Sequence, residues 1–130
     1  MFNLEEKISV EKALQMDAVV LAFIGDAVYS LYVREKNVFS FDYKTGVLNA
    51  KTSQVVCAKA QAILADKLQE EFTETELGIF KRGRNAKKPT KSKSCTVAEY
   101  NKSTGLEAVM GFLYLTGQIE RINYLLSFGE

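Results

Sequence analysis

A chain of 130 residues, 47% hydrophobic, is long enough for one domain with a substantial core and short for two. It has no histidine, and its two cysteines, Cys57 and Cys95, lie 38 positions apart, which excludes a zinc set or a Cys-x-x-Cys redox pair and points to a reduced, cytoplasmic protein. The formal net charge is +1, the first residues carry no apolar leader core, and no stretch of about 18 uncharged apolar residues offers a membrane span, so a soluble protein without a membrane partner is expected.

The single proline is Pro89, and no two-residue alternation of a half-buried strand persists anywhere, so the fold class is all-α. The first strong helix covers about residues 16–34. Its run from Ala18 to Ile24 is apolar on all sides, which implies that it is surrounded by other helices or by a second copy. Asp26, in "GDAV", shares a face with Val19, Ala22 and Phe23. An ionised carboxylate buried there is costly unless it is ion-paired, hydrogen-bonded or bound to a metal ion. A second helical stretch runs from about Tyr43 to Gln69, with room for a break, and carries Leu48, Val56, Ala60, Ile63, Leu64 and Leu68 at helical spacing.

Thr73 and Glu76 form a capping-box pattern that starts a short helix through Leu77 and Phe80 to Lys81 and Arg82, with Gly83 suited to a left-handed stop. Residues 81–93, "KRGRNAKKPTKSK", hold seven of the 17 basic residues and no acid, leaving 10 bases against 16 acids elsewhere. A basic segment on an acidic body attracts polyanions locally. Most of it falls in an expected loop at about 83–95, and loops of that length in compact domains are functional or disordered. Thr96 and Glu99 repeat the capping box and open a helix through Tyr100, Thr104, Ala108, Gly111 and Leu115. Within it Glu107 is a second lone acid among apolar or small residues. Gly105, Ala108 and Gly111 leave room for close approach to the Asp26 helix. A last amphipathic helix carries Ile119, Ile122, Leu125 and Leu126.

Converging Asp and Glu oxygens without histidine suit a hard cation, Mg²⁺ or its substitute Mn²⁺. Such a cation acidifies a water that it binds, and the residues offer no obvious side-chain nucleophile.

The residues carry a resemblance. "LAFIGDAVYSLYV" resembles the signature helix of the ribonuclease III family, and "STGLEAVMGFLYL" resembles its second acidic helix. "KRGRNAK", 81–87, and "VVCAKAQA", 55–62, are similar to the basic loop and central helix of the small Mini-III subfamily, which lacks a double-stranded-RNA-binding domain. The resemblance spans about Met16 to Leu115. It implies that residues 1–130 form one catalytic domain, a helical bundle that homodimerises through its signature helices. It also implies Mg²⁺-dependent cleavage of double-stranded RNA to a 5′-phosphate and a 3′-hydroxyl. Precursor 23S ribosomal RNA is the implied substrate, and a large-subunit ribosomal protein on the precursor particle is a further implied partner. Asp26 and Glu107 match the metal-binding acids. Arg82, Arg84, Lys87, Lys88, Lys91 and Lys93 are the candidate RNA contacts. Larger members carry further acids where this chain has Val19, Ala22 and Thr104. The alternative is a non-catalytic RNA-binding module with the same fold.

Overall fold

Helical periodicity is realised in the residues that the computed structural model describes, 5–40, 44–88 and 94–130. Within them lie α1 (Val10–Leu14), α2 (Ala18–Ser40), α3 (Thr45–Val56), α4 (Ala58–Leu68), α5 (Glu74–Asn85), α6 (Val97–Leu115) and α7 (Ile119–Phe128), with no strand among the described residues. The all-α class is as expected, and α2 runs past Arg34 to Ser40. Tyr43 and Pro89 lie outside the described residues. None of the described helices is long and apolar enough to cross a membrane.

Local chemistry sets several boundaries. Both capping boxes form: the Thr73 hydroxyl accepts from the Glu76 amide at 3.1 Å while Glu76 accepts from the Thr73 amide at 2.9 Å, and Thr96 and Glu99 do the same at 3.1 and 2.9 Å. Each satisfies two amides that a helix start leaves unpaired. The short α1, which the charged N-terminal sequence did not suggest, is capped by Ser9, whose hydroxyl accepts from the Lys12 amide at 3.2 Å. The long stretch before Gln69 is broken at Cys57, whose extended backbone (φ −67°, ψ 155°) separates α3 from α4.

The expected stop at Gly83 is overturned. Helix α5 continues to Asn85, and Gly83 is buried against α6, where an added Cβ would lie 2.9 Å from the Gly105 Cα. The glycine serves close helix packing, so Arg82 and Arg84 stand on a helix. Gly105 accordingly faces α5, with the Phe80 carbonyl 2.7 Å from where its Cβ would be, and the approach to α2 is left to Gly111.

Helix α6 is the centre of the molecule: from Ser103 to Leu113 every residue except Glu107 is buried. Helices α2, α4 and α5 pack around it, and α7 and α1 meet it more lightly. The Leu21, Leu68, Ile79, Phe80, Leu106, Met110 and Leu125 side chains close the apolar core. The buried face of α4 is Gln61, Ala62, Ala65 and Leu68, whereas Ile63, placed on the apolar face by its spacing, is 54% exposed. A bidentate ion pair ties α7 to the start of α5: Arg121 donates from Nε to Glu76 Oε2 at 2.9 Å and from a terminal nitrogen to Oε1 at 2.8 Å. That nitrogen also donates to the Glu71 carbonyl at 2.7 Å.

Candidate active site

Two glycines set the distance between α2 and α6. A Cβ on Gly25 would fall 1.7 Å from the Glu107 carbonyl oxygen, and one on Gly111 would fall 1.9 Å from that of Leu21. The backbones therefore touch on both sides of one crossing, closer than any side chain permits. Asp26 follows Gly25 and Glu107 lies on the facing turn of α6. The crossing brings their carboxyls together, close enough to hydrogen-bond and repel.

Burial first, then the charge of and hydrogen bond to Asp26, push the Glu107 carboxyl up from 4.5 to about 8, against a smaller lowering by Gln61. Both named acids thus converge, as the small residues of the second acidic helix allowed. Their surroundings differ from the sequence picture. Asp26 is exposed on a single chain, while Val20, Phe23 and Leu31 on the same helix are 50%, 83% and 49% exposed. The apolar signature helix is only half covered by its own chain. Ion pairs among the described residues include Lys36–Glu130, Lys102–Asp66 and Arg121–Glu76, and none of these three involves Asp26 or Glu107.

Gln61 is the neighbour that sequence reasoning missed. It lies on the buried side of α4 with 2% exposure and touches Glu107. Its Nε2 donates to the Val56 carbonyl at 2.8 Å, and its buried Oε1 has no hydrogen-bond partner. The available signal was a lone glutamine in register with Ala65 and Leu68, four and seven residues on. The positions where larger members carry more acids do not add charge: Ala22 and Thr104 are buried, and the Thr104 hydroxyl donates to the Tyr100 carbonyl at 3.1 Å. No group of three or more His, Cys, Asp or Glu suited to a metal ion occurs among the described residues.

The basic candidates separate into two kinds. Arg82 donates to the carbonyls of Leu14 and Met16 at 2.9 and 2.5 Å, pinning the turn before α2 onto α5. Lys88 is half-buried and donates to the carbonyls of Arg84 and Ala86 at 3.1 and 2.6 Å, closing the C-terminal end of α5. Desolvation lowers its pKa. Arg84 lies over the Phe80 ring at 5.9 Å and donates to the Asn85 side chain at 3.2 Å, while Lys81 and Lys87 are exposed. Lys91 and Lys93 lie outside the described residues.

Residues 19–118 match the Ribonuclease III domain family, a span that takes in both acids and α5. The chain belongs to the ribonuclease III family. Among its relatives, a Mini-ribonuclease 3 of Thermoanaerobacter is 42% identical over 93% of this chain and 85% of its own length. One of Streptococcus pneumoniae is 44% identical over 86% and 89%. A solved structure of a protein from Fusobacterium nucleatum superposes with a TM-score of 0.81 at 34% identity, covering 87% of this chain and 90% of that one. The chain is thus a ribonuclease III-type endoribonuclease of the Mini-ribonuclease 3 kind, and its all-helical fold is that of the family.

In a ribonuclease III domain the raised Glu107 pKa has a measurable sign. A carboxyl at 4.5 when unfolded and about 8 when folded binds its proton more tightly in the folded state. Folding therefore loses stability as pH rises from about 4.5 to 8, and the full penalty stands above 8. In metal-free protein, Glu107→Gln should melt close to wild type near pH 4.5 and progressively higher than wild type up to pH 8, by on the order of 2–4 kcal/mol. Calorimetric melts across that range check it, and a pH-independent difference would mean that the carboxyl is not strained.

Proposed function

We propose that this protein cleaves double-stranded RNA with a divalent cation, Mg²⁺ or in its place Mn²⁺, held by Asp26 and Glu107, leaving a 5′-phosphate and a 3′-hydroxyl. The observation that carries this reading is the Asp26–Glu107 pair at the glycine crossing of a ribonuclease III domain. The donor set fits the ion: two carboxylate oxygen donors, crowded enough to favour a proton on one of them, gain from a hard cation between them. When bound, that ion supplies Lewis-acid stabilisation of phosphate charge and a more acidic water.

The chain's own residues supply position. Asp26 and Glu107 stand on rigid helices whose spacing is fixed by backbone contact, so the phosphodiester is met by a preset pair of oxygens. Half-burial of Glu107 keeps its carboxyl poorly solvated, so its attraction for a cation is stronger than it would be in water. The exposed apolar stripe of α2 around Phe23 supports a homodimer in which a second copy covers it, placing two sites along one duplex. One catalytic unit of residues 1–130 per subunit follows from this reading.

Duplex RNA hides base edges in a deep groove, so recognition rests on phosphates and shape. Arg84 and Lys87 are the cations best placed for phosphate contact, with Lys91 and Lys93 extending the segment. Arg82 and Lys88 act mainly by holding α5 and its end in place. We take precursor 23S ribosomal RNA in the cytoplasm as the substrate, with a large-subunit ribosomal protein on the precursor particle as a further partner, as the resemblance of the sequence motifs to the Mini-III subfamily implies.

The deciding experiment is cleavage of a long double-stranded RNA by purified protein with Mg²⁺ and with EDTA, with end-group analysis of the products and sedimentation of the enzyme. Cleavage only with Mg²⁺, by a protein of two chains that Phe23→Asp splits into single inactive ones, is the expected result. A wild type that binds duplex RNA but leaves it intact under all these conditions is a binding module. The Arg84→Ala, Lys87→Ala double variant should bind duplex RNA more weakly and lower the slope of log K against log salt by about 1–2. An unchanged slope would return these side chains to solubility alone.

A further inference from the structure

Two carboxylates are a sparse protein shell for an ion that takes about six oxygens and keeps several of its waters. Such an ion is held by whatever orients those waters, and the partners of bound groups are worth about 10–100-fold in affinity in known metal sites. The structure places one more polar side chain, the Gln61 carboxamide, beside Glu107 of the pair. Gln61 is 2% exposed, and its Oε1 is the one buried side-chain oxygen or nitrogen without a hydrogen bond among the described residues.

A buried acceptor left without a donor is destabilising, and proteins satisfy more than about 90% of them. The carboxamide cannot relieve this by turning over. Its Nε2 already donates to the Val56 carbonyl at 2.8 Å, and the reversed amide would set two oxygens against each other. The side chain is therefore locked at the end of α3 while its amide group lies against the Glu107 carboxyl. Asp26, Glu107 and Gln61 come from α2, α6 and α4, so three separate helices converge here. Only a neutral oxygen adds an acceptor without adding repulsion to a carboxylate pair already crowded.

We propose that Gln61 is a positioning residue of the cation site, its Oε1 accepting a hydrogen bond from a water carried by the ion that Asp26 and Glu107 hold. This rests on the metal-dependent reading above and adds the group that fixes the ion's water. Gln61→Met keeps the length and bulk of the side chain and removes the acceptor. Gln61→Glu keeps an acceptor oxygen and loses the donor to Val56.

The test is Mn²⁺ binding to RNA-free protein, by calorimetry or by the electron paramagnetic resonance of free Mn²⁺, with thermal melts and Mg²⁺-dependent cleavage alongside. Gln61→Met should weaken Mn²⁺ binding about tenfold or more and raise the Mg²⁺ concentration needed for half-maximal cleavage in step. Gln61→Glu should bind Mn²⁺ at least as tightly as wild type. If Gln61 only ties down the end of α3, or its oxygen merely holds an ordinary buried water, both variants lower the melting temperature and neither weakens Mn²⁺ binding. Wild-type affinity in Gln61→Met, or equal weakening in both variants, overturns the proposal. Should Gln61→Met fail to fold, weaker Mn²⁺ binding by Gln61→Glu overturns it alone. A wild type that cleaves and binds Mn²⁺ beside an unaffected Gln61→Met sinks this inference only. A wild type that does neither removes the metal-dependent reading as well.

Discussion

Asp26→Asn and Glu107→Gln should each reduce Mg²⁺-dependent cleavage of double-stranded RNA by at least about 10³-fold, because each removes one of two charged oxygens from the cation and the several kcal/mol it contributes. Both substitutions preserve shape, so lost activity should come without lost structure. The crossing of α2 on α6 is made by backbone and does not need either carboxyl. Glu107→Gln should even melt higher than wild type in metal-free protein above neutral pH, since it removes a carboxyl that burial and Asp26 push up to about 8. That pairing of a more stable fold with an inactive site separates a ligand from a structural carboxylate. A buried acid kept for stability would show the reverse, and a variant retaining a tenth of wild-type cleavage would require a different pair of ligands.

What could be read from the sequence was what short segments decide by themselves. Thr73 with Glu76 and Thr96 with Glu99 form their capping boxes within four residues, so both helix starts were legible before any packing was known. The two lone acids stood out because a charge within an apolar helix must be compensated. What depends on distant chain was hidden. Gly83 reads as a stop until Gly105 is seen against it. The sequence marks Arg82 only as one of the basic residues, and its two hydrogen bonds to the carbonyls of Leu14 and Met16 appear only in the fold. Asp26 was read as buried because the run from Ala18 to Ile24 is apolar on all sides, yet one chain leaves Val20, Phe23 and Leu31 of that helix open. An apolar pattern records that a face is covered without recording by which molecule. Gln61 was passed over because periodicity follows apolar residues, and the inward face of α4 carries a polar one.

Gly25→Ala should be the most damaging single methyl in the protein. Its Cβ would lie 1.7 Å from the Glu107 carbonyl oxygen, 2.6 Å from the carbonyl carbon and 2.8 Å from the Gly111 amide nitrogen. All three are backbone atoms of the central helix, so no side-chain rotamer can give way and the helices must separate. Overpacking costs about 1–3 kcal/mol where side chains can adjust, and this contact should exceed that range. A fall in melting temperature of about 10 °C or more is expected for a chain of this size. Gly111→Ala, with 1.9 Å to the Leu21 carbonyl oxygen, should behave alike. The contrast is Gly78→Ala on the outer side of α5, where an added Cβ meets nothing within 4 Å and the helix should gain about 0.5–1 kcal/mol. The two alanines differ only in what faces them, so their opposite signs isolate the crossing from helix propensity. Because the same contact sets the spacing of Asp26 and Glu107, any folded Gly25→Ala protein should also bind Mn²⁺ poorly. If Gly25→Ala melts with wild type and cleaves RNA, α2 and α6 do not cross on this glycine pair, and the convergence of the two acids must have another origin.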